Sequence, residues 1–290
     1  MECELDRITV HYEAFGEGRP ILMLHGMPLD HNAMIFEMER HFKERSGWKR
    51  IYIDMPGHGK TPGVEWITST DQVLKVVEEF VNKVIRGKRF VVAGTSYGAY
   101  IARGIVYHKG VQIDGLLLNV PSILSDNTKR TLPPRIVLVK NQTIMDAAKT
   151  ENVMWLEDMC VVQNQTVLDY ARAIQQSEAD ANFLDRVNYG FSFDVDRLPQ
   201  PFPAPTLFIM GRQDNVVGYR DAWSVLENYP RATFVVLDRA GHLALGEQSG
   251  LCSALVKEWL DRVEEWVSQT PHTFSRRADY LPQTNQTDED

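Results

Sequence analysis

Short apolar runs recur along the chain, each closed by a loop: Ile21 to Leu24, Ile51 to Ile53, Phe90 to Ala93, Gly115 to Leu118, Thr206 to Met210 and Thr233 to Leu237. Continuous β-favouring runs of this length suit strands covered on both faces, as in a parallel sheet. The first strand differs. Ile8, Val10 and Tyr12 alternate with Thr9, His11 and Glu13, which predicts a half-buried strand with one polar face. Gly16-Glu17-Gly18 then reads as a hairpin turn. It begins like a nucleotide-binding glycine loop, but the third glycine and the following helix are missing.

Helical spacing fills the gaps between these runs. Val73, Leu74, Val76, Val77, Phe80, Val81, Val84 and Ile85 form one apolar stripe, opened by Ser69 with Gln72 three residues on and closed by Gly87. A second stripe runs through Leu251, Leu255, Trp259, Leu260, Val263 and Val267. Strands alternating with helices predict a doubly wound α/β sheet. The alternation stops between about Pro121 and Pro203, where the patterns are helical, as in Met145, Ala148, Asn152, Trp155 and Met159. A stretch this long carries its own structure. The organisation is therefore an α/β core over residues 1–120 and 204–268, with a helical insertion, or cap, over residues 121–203. From Gln269 the chain is polar and aperiodic, which predicts a mobile tail over residues 269–290.

Composition narrows the class. The chain has 290 residues, 43% apolar and 24% charged, which excludes a disordered chain, a fibre and a coiled coil. The net charge is −8 without a basic cluster, so neither nucleic acid nor an anionic membrane is an expected partner. Cys3, Cys160 and Cys252 are scattered and odd in number, which fits neither a disulfide framework nor a zinc site. The first residues lack the basic and apolar regions of a secretion signal, so the expected location is cytoplasmic, and Asn141, Asn164 and Asn285 are chance glycosylation triplets.

The chemistry concentrates at Gly94-Thr95-Ser96-Tyr97-Gly98, between the run Phe90 to Ala93 and a helix of small residues. A G-x-S-x-G pattern between a strand and a helix marks a nucleophilic serine. The five residues alone would arise by chance in about one such chain in fifteen at average glycine and serine usage; their place after the central apolar strand makes chance a much poorer explanation. A serine needs a base, and the base needs an orienting acid. Asp214 follows the run ending at Met210, and His242 follows the last strand, so all three candidates stand at successive strand ends, where open α/β sheets bind ligands. Asp221 and Asp238 lie near Asp214 as alternative acids. The oxyanion donors are expected to be the backbone N–H of Tyr97 and, from His25-Gly26-Met27-Pro28, that of Met27, since Pro28 has none. Gly26, Gly94, Gly98 and His25 are read as support for this site. Asp54 and His58 are read as structural, and no histidine–aspartate spacing suggests a metal.

Together His25 to Pro28, Asp54 to Gly59, Gly94 to Gly98, Gly211 to Asp214 and Gly241-His242 resemble the α/β-hydrolase superfamily. The resemblance covers most of the chain except the insertion and the tail. It implies a mostly parallel eight-stranded sheet, a cap over the site, and hydrolysis of an ester, thioester, lactone or amide through an acyl-enzyme, without cofactor or metal. Ser96 argues against the dehalogenase-like and epoxide-hydrolase-like branches, which use aspartate there. Met27 and Thr95 do not match the proline-iminopeptidase-like pattern. Leu243 stands where many carbon–carbon-bond hydrolases carry tryptophan after the histidine. Asn119 ends the strand before the insertion, which favours Asp214 as the acid. The expected activity is that of a carboxylesterase on a small-molecule ester. The alternatives are a carbon–carbon hydrolase acting on a diketone and a non-catalytic receptor or scaffold. Loss of activity is expected below about pH 6, where a histidine base protonates.

Overall fold

A computed structural model describes residues 1–269; the predicted polar tail lies outside them except for Gln269. Eight strands form one sheet: β1 (Glu2–Glu4), β2 (Thr9–Phe15), β3 (Arg19–Leu24), β4 (Trp48–Ile53), β5 (Phe90–Thr95), β6 (Ile113–Asn119), β7 (Thr206–Gly211) and β8 (Ala232–Leu237). Their spatial order is β1-β2-β4-β3-β5-β6-β7-β8. β1 pairs antiparallel with β2, and β2 with β4; every other pair is parallel. The helices are α1 (His31–Met38), α2 (Thr70–Val84), α3 (Tyr97–Lys109), α4 (Gln142–Thr150), α5 (Leu156–Met159), α6 (Gln165–Ile174), α7 (Ala181–Arg186), α8 (Ala244–Glu247) and α9 (Ser249–Gln269).

The two-residue period of the central strands supplies a core on each side of the sheet. Leu22, Leu24, Val92, Leu116 and Phe208 face α2 and α3. Their neighbours Ile21, Met23, Val91, Leu117 and Leu207 face Met34 and Met38 of α1 and Val256, Trp259 and Leu260 of α9. Fully covering each such side chain is worth about 1.5–3 kcal/mol, which is why these strands read as unbroken apolar runs. β8 departs from that reading. As the last strand it has one neighbour, and only Leu237 among its residues is buried.

The turn at Gly16 to Gly18 does not close a hairpin. β2 and β3 both pair with β4, which lies between them. The connection steps over the start of β4. At Gly18, φ is +114° and a Cβ would lie 2.2 Å from the Gly47 carbonyl oxygen, so the close crossing requires glycine. The polar face of β2 is also less exposed than its alternation implies, because His11 lies beside His31 at the start of α1.

Between β6 and β7 the described elements are helical, as the loss of strand pattern predicts. The single stripe from Met145 to Met159 is two helices, α4 and α5, with Asn152 between them at φ +57°. The segment between β6 and β7 is tied to α3 by charge. Arg103 of α3 is fully buried and donates to the Ser122 carbonyl at 3.0 Å, the Ile123 carbonyl at 3.2 Å and the Asp196 carboxylate. Removing one member of a buried pair leaves the other charge uncompensated. Asp196→Ala is therefore expected to lower stability by about 3 kcal/mol, read as a lower urea midpoint at unchanged slope; an unaltered midpoint would contradict this role.

Candidate active site

β5, β7 and β8 run parallel, so the loops after them emerge along one edge of the sheet. Ser96 sits between β5 and α3 with φ +55° and ψ −113°, a conformation that L residues rarely adopt and that the surrounding packing must impose. Two glycines permit the turn. A Cβ on Gly98 would lie 2.1 Å from the Leu24 carbonyl oxygen, and one on Gly94 would lie 2.4 Å from the Gly98 carbonyl oxygen. α3 thus starts in direct backbone contact with the end of β3. Gly26 is less constrained: its Cβ would stand 3.3 Å from the Ser96 Cβ. That short distance places the loop after β3 beside the serine.

The structure brings Ser96, His242 and Asp214 together. His242 Nε2 is 3.0 Å from Ser96 Oγ, and His242 Nδ1 is 2.8 Å from Asp214 Oδ2. Asp214 is fully buried, and its other oxygen accepts the N–H groups of Val216 at 2.8 Å and Val217 at 3.0 Å. An ionised carboxylate only accepts, so Asp214 holds the proton on Nδ1 and leaves the Nε2 lone pair facing the serine hydroxyl. The neighbouring acids are engaged elsewhere. Asp238 is exposed and receives Gln213, whereas Asp221 receives the Thr131 N–H. The N–H groups of Met27 and Tyr97 find no acceptor among the described residues, which leaves both free for an anion at Ser96. His25 is buried, accepts the Met55 N–H on Nε2 at 3.0 Å and faces the Gly26 carbonyl with Nδ1 at 2.9 Å. Burial, with His58 close by, lowers its pKa, so it is a neutral brace for the loop. Asp54 likewise accepts the backbone N–H groups of His31 at 2.9 Å and Lys60 at 3.0 Å.

Three supporting contacts were not legible in the sequence. Gly211 lets the next loop cross the end of β7, since its Cβ would lie 2.2 Å from the Gly241 carbonyl oxygen. Glu247 of α8 is buried and accepts the Gly241 N–H at 2.5 Å and the Val162 N–H at 3.2 Å, joining the histidine loop to the insertion. Glu37 of α1 is buried behind the nucleophile and accepts the Thr95 hydroxyl at 2.9 Å; Thr95 in turn accepts from Asn119 at 3.2 Å. Burial drives the Glu37 carboxyl up to about 7, against the lowering influence of Thr95, Arg40 and His242. Glu247 and Gly241 are six residues apart, whereas Glu37 meets Thr95 and Glu247 meets Val162 only through the fold.

The aromatic residues of the insertion divide. Phe191 stacks on Tyr100 at 4.5 Å, and Phe193 lies 4.7 Å from Tyr107, so both rings cover α3. Phe183 is buried against Gly57 and Gly63. Near the site, Leu29 and Leu243 pack with Trp155 of the insertion against Tyr170 and Ile174. Among the described residues one group of metal-ligating types converges, His11, Glu13 and His31, and it includes none of Ser96, Asp214 and His242.

For His242, burial disfavours the imidazolium, but the charge and hydrogen bond of Asp214 and the charge of Glu37 outweigh it against the opposing Arg130, so the pKa lies above 6.5. The imidazolium thus persists to higher pH than in an isolated histidine. A base at this position is expected to protonate at higher pH than a free histidine. Glu37→Gln removes a negative charge that favours the imidazolium and is expected to move the acid limb of kcat/KM to lower pH. An unmoved or higher midpoint would contradict that coupling. Gly98→Ala is expected to cost about 1–3 kcal/mol from overpacking and to reduce any Ser96-dependent activity; wild-type stability and rate would contradict the close approach of α3 to β3.

The comparisons with known proteins agree on the fold. The profile of the alpha/beta hydrolase family matches residues 21–254. An alpha/beta superfamily hydrolase from Oenococcus oeni superposes with a TM-score of 0.79 at 27% identity, covering 91% of this chain and 99% of that one. A pimeloyl-[acyl-carrier protein] methyl ester esterase of Legionella pneumophila is 22% identical over 87% of this chain and 100% of its own. A 2-hydroxy-6-oxo-6-(2'-aminophenyl)hexa-2,4-dienoic acid hydrolase of Metapseudomonas resinovorans is 20% identical over 94% of this chain and 89% of its own. With a family match across most of its length and the eight-stranded sheet of that fold, this chain belongs to the alpha/beta hydrolase family.

Proposed function

We propose that the chain is a serine hydrolase that cleaves a small carboxylic ester, or a related thioester, lactone or amide, through an acyl-enzyme. The observation that carries this reading is the continuous relay from Asp214 Oδ2 through His242 to Ser96 Oγ, at 2.8 and 3.0 Å. Ser96 Oγ attacks the carbonyl carbon while His242 Nε2 takes its proton. The carbonyl oxygen, now negative, accepts from the Met27 N–H in the loop after β3 and from the Tyr97 N–H at the N-terminus of α3, where the helix dipole favours an anion. The tetrahedral centre collapses, the carbon–oxygen bond of the ester breaks, and His242 gives its proton to the leaving alcohol. Water, deprotonated by His242, then attacks the acyl carbon and regenerates the serine.

In this reading residues 121–203 act as a cap on the core formed by residues 1–120 and 204–268. Leu29, Leu243 and Trp155, next to the loops that carry Met27 and His242, form an apolar wall suited to an acyl group. A second reading, cleavage of a carbon–carbon bond in a diketone by the same three residues, is supported by the Metapseudomonas relative. Ester hydrolysis is preferred because Leu243 offers no polar group beside the base for an enolate product. A receptor role is less economical, since it gives no purpose to the hydrogen-bonded relay of Asp214, His242 and Ser96.

The test is steady-state hydrolysis of 4-nitrophenyl esters of increasing chain length. Ser96→Ala is expected to lower kcat by about 10⁴-fold or more, with the best wild-type substrate reporting the size of the acyl site. A Ser96→Ala variant that hydrolyses esters at the wild-type rate would overturn the mechanism, and a wild type that cleaves diketones far faster than esters would favour the second reading.

A further inference from the structure

β2 carries His11 and Glu13 two residues apart, hence on one face of the strand. α1 begins at His31 opposite them, capped by Asp30. The three donor groups converge within 4.8 Å of one another. His31 Nε2 and Glu13 Oε1 are already 3.5 Å apart. Two ligands on a tetrahedral zinc ion, with bonds of about 2.0–2.1 Å, are separated by about 3.4 Å. The rings of His11 and His31 lie 5.2 Å apart at 56°, tilted rather than stacked.

Two features favour a cation between these groups. First, His11 is about nine-tenths buried, and its Nε2 has no hydrogen-bond partner among the described residues. A buried ring nitrogen without a partner is costly. Second, Asp54 fixes the tautomer of His31. Its Oδ1 lies 2.7 Å from His31 Nδ1 and also accepts the His31 backbone N–H, while its Oδ2 accepts from Lys60. The carboxylate therefore holds the proton on Nδ1 and turns Nε2 towards the Glu13 carboxylate. The charges of Asp54, Asp30 and Glu13 favour a positive centre there, which a second proton on His31 or a metal ion can supply. This carboxylate–histidine arrangement is also the outer-sphere support that orients imidazole ligands on metals. Asp54 and Glu13 together bring two negative charges, which match a divalent ion.

We propose that His11, Glu13 and His31 form a binding site for one divalent transition-metal ion of the zinc type, with Asp54 supporting His31. Two imidazoles and one carboxylate suit zinc, cobalt, nickel or iron and disfavour calcium and magnesium, which prefer oxygen donors. Glu13 is 39% exposed at its side chain, so it provides both the entry path and the adjustable ligand. The ion would join β2 to the first turn of α1. That turn follows the loop carrying Met27, so the site would be a structural clamp behind the loop, separate from Ser96, Asp214 and His242. The chain spacing conceals it, because the ligands are two residues apart on a strand and then eighteen residues farther on.

The test uses the tag-free chain, stripped with a chelator and titrated with Co²⁺ followed by visible absorption, with Zn²⁺ as competitor. His11→Gln and Glu13→Gln are run beside it; Glu13→Gln lies at a partly exposed position, and circular dichroism checks that each variant is folded. Expected is one equivalent of cobalt with the intense visible bands of a low-coordinate site, displaced by zinc and lost in both variants. Saturating zinc should raise the wild-type Tm by several degrees and leave the variants unmoved. A folded wild type that takes up no cobalt, or variants that bind it like the wild type, would overturn the proposal.

Discussion

The backbone contact between the start of α3 and the end of β3 is the constraint on which the site depends. Gly98 lies against the Leu24 and His25 carbonyls, and Gly94 lies against Gly98. That contact forces the chain to turn sharply at Ser96 into a positive φ. It also brings the loop at Gly26 beside the serine. The strain at one residue is held by a sheet whose central strands are buried on both faces.

The same device operates at the other side of the site. Gly211 ends β7 without a side chain, so the loop at Ala240 and Gly241 crosses it. Glu247 then fixes Gly241, and the buried Asp214 fixes the ring of His242. Close backbone crossings and buried carboxylates together position these groups. Electrostatics follow from the same packing. Glu37 and Asp214 place two carboxyl groups around one histidine, and together they overcome the effect of burial on its charge.

Legibility in the sequence tracked the range of the contacts involved. The Ser96 turn is written in five consecutive residues, and Asp214 and His242 each follow a recognisable strand, so the order of the elements sufficed to nominate them. The alternation of strands and helices likewise foretold the α/β sheet. What lay hidden came from pairing across distance. The place of β4 between β2 and β3 depends on pairing with a strand farther along the chain, which a glycine turn does not encode. Glu37 meets Thr95, and Glu247 meets Val162, only after the helices pack. The burial of His11 is set by α1, so the alternation of β2 suggested a more exposed face than it has.

The central claim is that the packing of α3 on β3 and the relay through His242 make Ser96 a nucleophile. The most direct measurement is labelling of the folded wild-type chain with a fluorophosphonate, followed by mass spectrometry of its tryptic peptides. The account predicts one adduct per chain, located on Ser96. An adduct on a different residue, or a folded protein that cleaves esters while Ser96 stays unmodified, would contradict it.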